Sequence, residues 1–150
     1  MAFVEPTSDL TARLTNEGRD ALASLVLGGV AIVLANFQVG RGGYQAANPV
    51  KVDGINPAVT TLIDPVGSRK QFVTIEQPVG DNVAAPVCRI STTDTDVEYG
   101  LGELGIFATY LVNDTTPSLV GTDFLFAVAH FPLISKTPSH TLVWRVLIAL

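Results

Sequence analysis

EYGLGELGIFATYLVNDTTPSLVGTDFLFAVAHF, residues 98–131, is the stretch that decides how the chain is read. It contains two apolar segments, 104–112 and 124–131, separated by the turn formers Asn113, Asp114, Pro117, Gly121 and Asp123. As a strand, the second segment puts Phe124, Phe126, Val128 and His130 on one side and Leu125, Ala127, Ala129 and Phe131 on the other. A strand that is apolar on both faces must be covered on both faces. A chain of 150 residues has few layers with which to do so. The expectation is that other subunits supply part of the cover, which points to a structural assembly protein rather than an enzyme.

Composition leads the same way. The length suits one domain over residues 1–150 with a real core. Hydrophobic residues make up 47% and charged residues 15%, against about 25% charged in an average soluble domain. The mean hydropathy of +0.39 implies that apolar surface goes into a membrane or into subunit contacts. The net charge is -5, the sequence pI is about 4.8 and basic residues form no block, which argues against nucleic-acid binding. A single cysteine, Cys88, excludes an intrachain disulfide and a multi-cysteine metal site.

The opening residues lack a basic segment followed by an apolar run, so no secretory signal is expected. Residues 21–40, ALASLVLGGVAIVLANFQVG, are uncharged and long enough to span a membrane. Paired Gly28 and Gly29, the Val and Ile after them, and Asn36 and Gln38 favour a helix, a glycine turn and a strand instead. No membrane insertion is therefore expected.

In chain order, residues 1–13 read as an extended arm. A helix starts with Thr15 as N-cap, has Glu17 and Asp20 near its first turn, and carries Ala21, Leu22, Leu25 and Val26 on one face. Gly28 or Gly29 ends it. Residues 30–39 form a buried strand leading into Gly40-Arg41-Gly42-Gly43. Residues 44–67 read as a long loop with short extended pieces near 50–52 and 59–63, of a length that often serves a partner. Strands follow at 70–79, with Phe72, Thr74 and Glu76 on one face, at 84–92 and at 141–150, with a turn at Gly80-Asp81-Asn82. Leu142, Trp144, Val146, Ile148 and Leu150 share one face of the last strand. The fold class is α+β: a short N-terminal helix followed by a mostly antiparallel sheet or sandwich, oligomeric.

Catalytic patterns are weak. His130 sits in an apolar strand and reads as a core or interface histidine, while His140 falls in an exposed turn; neither has a nucleophile motif nearby. Asp94, Asp96 and Glu98 alternate, but Tyr99 and Gly105 stand where a calcium loop needs glycine and glutamate, so a solvated acidic turn is expected. The GRGG cluster lacks phosphate-loop spacing and reads as a tight turn. Cys88 reads as a small core residue. Arg145 would pair with Glu103 or Glu98. No cofactor, metal or catalytic residue is expected.

Two separated pieces resemble the N-terminal domain of phage tail-collar fibre proteins. In residues 14–43, Thr15, Gly18 and Leu22 match a helix of the form T-x-x-G-x-x-x-L, and Phe37 and Gly40 match a strand ending in aromatic-x-x-G. Glu103, Gly105, Ile106 and Phe107 match an E-x-G-[LI]-[FY] strand, and residues 125–129 match a later "LLAVA" strand. The matches cover roughly half of the chain in the family's order; residues 44–90 match no part of it. Members usually continue into a long fibre, whereas this chain stops at Leu150. The receptor-binding part is accordingly expected to be absent or supplied by another protein.

The resemblance implies a non-enzymatic tail subunit in the virion, assembled in the host cytoplasm. It would be homo-oligomeric, as a trimer, and partnered by other tail or baseplate proteins. Phe124, Phe126, Val128, His130, Phe131, Trp144, Tyr44 and Arg145 are the expected core or subunit contacts, and the 44–67 loop the partner contact. The alternatives are a small β-barrel binding an apolar ligand and, third, a membrane protein spanning with residues 21–40.

Overall fold

Residues Thr7–Leu14 alternate, with Asp9, Thr11 and Arg13 exposed and Leu10, Ala12 and Leu14 turned inward, and they form the first strand, β1. The computed structural model describes residues 7–45, 47–76, 83–97 and 99–149. The expected arm is therefore corrected over its second half; residues 1–6 lie outside the described residues. β1 runs parallel to β10 (Leu142–Ala149) through Ala12, then pairs antiparallel with β9 (Asp123–Lys136) at Arg13 and Leu14.

The other strands are β2 (Val30–Gly40), β3 (Tyr44–Gln45), β4 (Asn48–Val52), β5 (Pro65–Lys70), β6 (Thr74–Glu76), β7 (Val83–Ile90) and β8 (Tyr99–Asn113). Eight of the ten form one sheet in the order β5-β2-β8-β9-β1-β10-β7-β6, and β3 with β4 forms a small hairpin. The two end strands, β5 and β6, are separated in sequence by only Gln71, Phe72 and Val73. Three residues cannot bridge an open eight-stranded sheet, since strands lie ~4.8 Å apart. The sheet is thus curled until its edges nearly meet. The expected continuous 70–79 strand is broken where the chain changes edge: Phe72 turns inward and stacks on Phe37 at 5.9 Å. Residues 77–82, including the expected Gly80-Asp81-Asn82 turn, are outside the described residues.

The curl holds the main core: Phe37 and Val39 from β2, Leu104 and Ile106 from β8, Phe126 and Phe131 from β9, and Trp144, Val146 and Ile148 from β10. Cys88 is fully buried there, and burial pushes its thiol pKa up. Along β9 the simple alternation fails. Phe107 pairs with Leu125 and Ile106 with Ala127, so Phe126 is an extra residue with no partner on β8. This bulge puts Ala129 and Phe131 in the same core as Phe124 and Phe126, and leaves Leu125 and Val128 on the outer face.

The bulge is where the helix begins. α1 (Asn16–Val26) joins β1 to β2, and Thr15 is both its N-cap and the last rung between β1 and β9. The Thr15 N–H donates to the Phe126 carbonyl at 3.0 Å, its hydroxyl donates to the Leu125 carbonyl at 2.6 Å, and its Oγ1 accepts from the Gly18 N–H at 3.0 Å. A Cβ at Gly18 would overlap the Phe126 carbonyl oxygen, so only glycine lets the helix sit this close. The helix ends at Leu27 and Gly28, whose φ of 83° is the expected left-handed terminator. No described helix is long and apolar enough to cross a membrane.

Thr15→Ala removes the cap and a buried hydroxyl bond, and is expected to destabilise the fold by about 1–2 kcal/mol in urea unfolding. Gly18→Ala should be at least as harmful; a variant as stable as the wild type would contradict the close docking of helix on strand.

Candidate functional site

The outer face of β9 would be bare without residues 53–64, which cross it as a strap. Leu62 is buried against Phe107, Leu125 and Val128, and Ile55 and Val59 pack on the same cluster. The second face of the apolar strand is therefore covered by this chain itself, not by a neighbour. The extended piece expected at 59–63 is part of this strap and is not a strand, whereas the one at 50–52 belongs to β4.

Three sets of bonds tie the strap down. Glu103, on β8, has no exposed surface, and its carboxylate accepts the N–H groups of Ile63 at 3.1 Å and Asp64 at 2.8 Å. The Arg41 N–H donates to the Asp64 carbonyl at 2.9 Å. At the other end His130 Nδ1 lies 2.9 Å from the Asp53 carbonyl, so that nitrogen carries the proton. In the middle the Asn16 N–H donates to the Pro57 carbonyl at 2.7 Å. The GRGG cluster makes room for the carboxylate: a Cβ at Gly40 or Gly42 would press on its oxygens. Its glycines thus serve a buried glutamate, in addition to turning the chain.

Between the strap and β9 lies a cavity of about 250 Å³. Ile55, Val59, Leu62 and Val128 are its apolar lining residues, and Asn56, Thr61, Glu103 and His130 its polar ones, the last two being partners in the β8–β9 register. A second cavity, of about 150 Å³, is lined by Leu22 of the helix with Ile32, Leu34, Ala84 and Phe126. Trp144, Phe37 and Phe126 fill the interior, so it is far smaller than the ~300–1,000 Å³ that ligand pockets offer.

The residues expected at subunit contacts separate into two groups. Phe124, Phe126, Val128, Phe131 and Trp144 are each 6% exposed or less. Their surface is spent within one chain, so of the two expected roles, core or subunit contact, these five take the core. Phe131 and Trp144 pack ring on ring at 5.5 Å. His130, Tyr44 and Arg145 keep accessible surface. Tyr44 lies against Gly102, and His130 fastens the strap.

Arg145 does not pair with Glu103. It forms a two-pronged bond to Asp9 on the neighbouring β1, at 3.0 and 2.9 Å, with Glu76 at 3.5 Å. The reason is register: Asp9 stands directly opposite Arg145, whereas Glu103 is inside. Glu98 lies outside the described residues.

The acidic turn serves the fold. Asp96 accepts from the Ser68 N–H and pairs with Lys70 at 2.9 Å, which hold its pKa down to about 2. Partial burial raises the Asp94 pKa, but the Ser91 N–H and the Lys70 charge outweigh it and leave it lowered. These bonds fix the 91–97 turn to the β5 edge. His140 is exposed in the turn after β9.

One end of the molecule is apolar and open. The Asp114 N–H donates to the Gly29 carbonyl at 2.9 Å, bringing the end of β8 beside the turn after α1. There Val26 is 83% exposed, Leu27 87%, Leu111 55% and Val112 44%. No family model, curated protein or solved structure matches the chain.

Glu103→Ala would leave two strap N–H groups without their charged acceptor, an expected cost of about 2–3 kcal/mol. Limited proteolysis should then cut first within 53–64; a strap as resistant as in the wild type would contradict the fastening. Because the Asp96 pKa is lowered in the folded state, the stability it gives is present above the ordinary aspartate pKa of about 4 and is lost as pH falls towards about 2. Asp96→Asn should flatten that loss in acid unfolding, and an unchanged pH profile would count against it.

Proposed function

We propose that the chain is a structural subunit of a phage tail, or of a phage-related contractile injection particle. It links baseplate and fibre or forms part of the host-attachment apparatus. The observation that carries this reading is where the family-like residues sit. Thr15 and Gly18 dock the helix on β9, while Gly40 and Glu103 fasten the strap. The resemblance thus falls on the residues that the fold constrains most, rather than being scattered over its surface.

A subunit of this kind needs surfaces for its neighbours. The apolar end with Val26, Leu27, Leu111 and Val112 takes the role first given to the buried aromatics. We place the contacts of a homotrimer there, and those to other tail or baseplate proteins on the hairpin and strap of the 44–67 segment. Such contacts remove exposed aliphatic side chains from water at about 25 cal/mol per Å².

Light scattering on a sizing column in detergent-free buffer is expected to give three times the 15.8 kDa chain mass. Leu27→Asp should reduce it to one chain with little change in melting temperature, because Leu27 lies outside the core. A wild-type monomer, or a trimer untouched by the substitution, would refute the contact. Immunogold labelling of purified particles from the source of the sequence tests the larger claim: label at the tail tip supports it, and particles without the chain contradict it.

A further inference from the structure

The cavity shared by the helix and the sheet is built around one fixed aromatic ring. We propose that it is a receptor for a single phenyl ring, carried by a small free arene or by a phenylalanine side chain of another chain. Phe126 of β9 forms one wall. The other walls are aliphatic: Leu22 from α1, Ile32 and Leu34 from β2, and Ala84 from β7. The contact that docks the helix also sets these walls. The Phe126 carbonyl accepts the Thr15 N–H at 3.0 Å and lies against Gly18, and Leu22 stands one turn beyond that glycine. The cavity is open to solvent rather than enclosed, and Leu22, Ile32, Leu34 and Ala84 all keep accessible surface. A ligand therefore reaches it without unfolding the barrel.

Size and lining select the ligand. At about 150 Å³ the cavity is below a drug-sized pocket. Cavities of about that volume lined by Leu, Ile and Phe take up benzene. None of the five lining side chains carries a polar atom, so a hydroxyl or a charge entering here would lose water and find no side-chain partner. The aromatic neighbours favour a ring over an alkyl chain. Phe124 stacks on Tyr110 at 4.5 Å and meets Phe126 edge-on at 6.3 Å. A phenyl ring in the cavity extends this row beyond Phe126, in the offset or edge-on arrangements that aromatic pairs prefer. The proposal is independent of the tail assignment, because it rests on the cavity alone.

The test is a proton–nitrogen correlation titration of the full chain with benzene, against phenol and cyclohexane. Benzene is expected to shift the amides of Leu22, Ile32, Leu34 and Ala84 saturably. Phenol and cyclohexane should each bind about tenfold more weakly or worse, the first for its unpaired hydroxyl and the second for its bulk and its missing π face. Ala84→Leu fills the cavity and should abolish the shifts. If that variant does not fold, Leu22→Phe supplies the ring from the helix itself and should abolish them equally.

The capped peptide acetyl-Ala-Phe-Val-amide, which carries residues 2–4 of this chain, separates the two sources. Tighter binding than benzene assigns the ring to a protein side chain, and weaker binding assigns it to a free arene; either result sustains the receptor. No saturable shift with benzene or the peptide, shifts that persist in the filled variant, or phenol binding as tightly as benzene would overturn it.

Discussion

Residues 124–131 of β9 have no face that tolerates water, and the rest of the structure follows from covering them. Its inner face is covered by the curl of the sheet, which requires β1 to serve two partners: β10 along most of its length and β9 at its end. Its outer face is covered by the strap, a segment without regular hydrogen bonding that must be fastened at separate points. Both covers meet the strand at its irregularities. The bulge at Phe126 frees a carbonyl for Thr15, and the β8 position opposite His130 holds Glu103. A buried carboxylate is costly unless its oxygens are hydrogen-bonded, so the glutamate and the strap stabilise one another.

Much of this was legible in the sequence because it depends on local signals. The Thr15 cap, the glycine end of α1 and the inward face of β10 follow from capping chemistry and period-two alternation. The need for two covers on residues 124–131 was also legible. Their source was not: nothing local shows that Leu62, Val59 and Ile55, spread through a turn-rich stretch, return to one distant strand. Subunits were expected to do what the strap does. The parallel pairing of β1 with β10 was hidden for the same reason, as it joins opposite ends of the chain.

The site was less legible than the fold. Glu103 stood out as a charge in an apolar strand and as part of the family-like E-x-G match, but its partners are backbone N–H groups forty residues away. The signal available was chemical: a charged residue between buried neighbours must find donors, and the glycines of GRGG leave it space. Likewise the register that sets Asp9 opposite Arg145 cannot be deduced without knowing which strands are adjacent. The bulge at Phe126 shifted every side chain after it, which is why strict alternation misplaced Val128 relative to Phe126.

Whether one chain covers β9 on both faces can be measured by amide hydrogen exchange across residues 125–131 over a wide range of protein concentration, down to where the chain is a monomer. If strap and curl are the covers, protection in the monomer is high and does not change as concentration rises. Protection that is lost on dilution and recovered on association would mean that a second subunit supplies one cover, and the self-covered strand would be wrong.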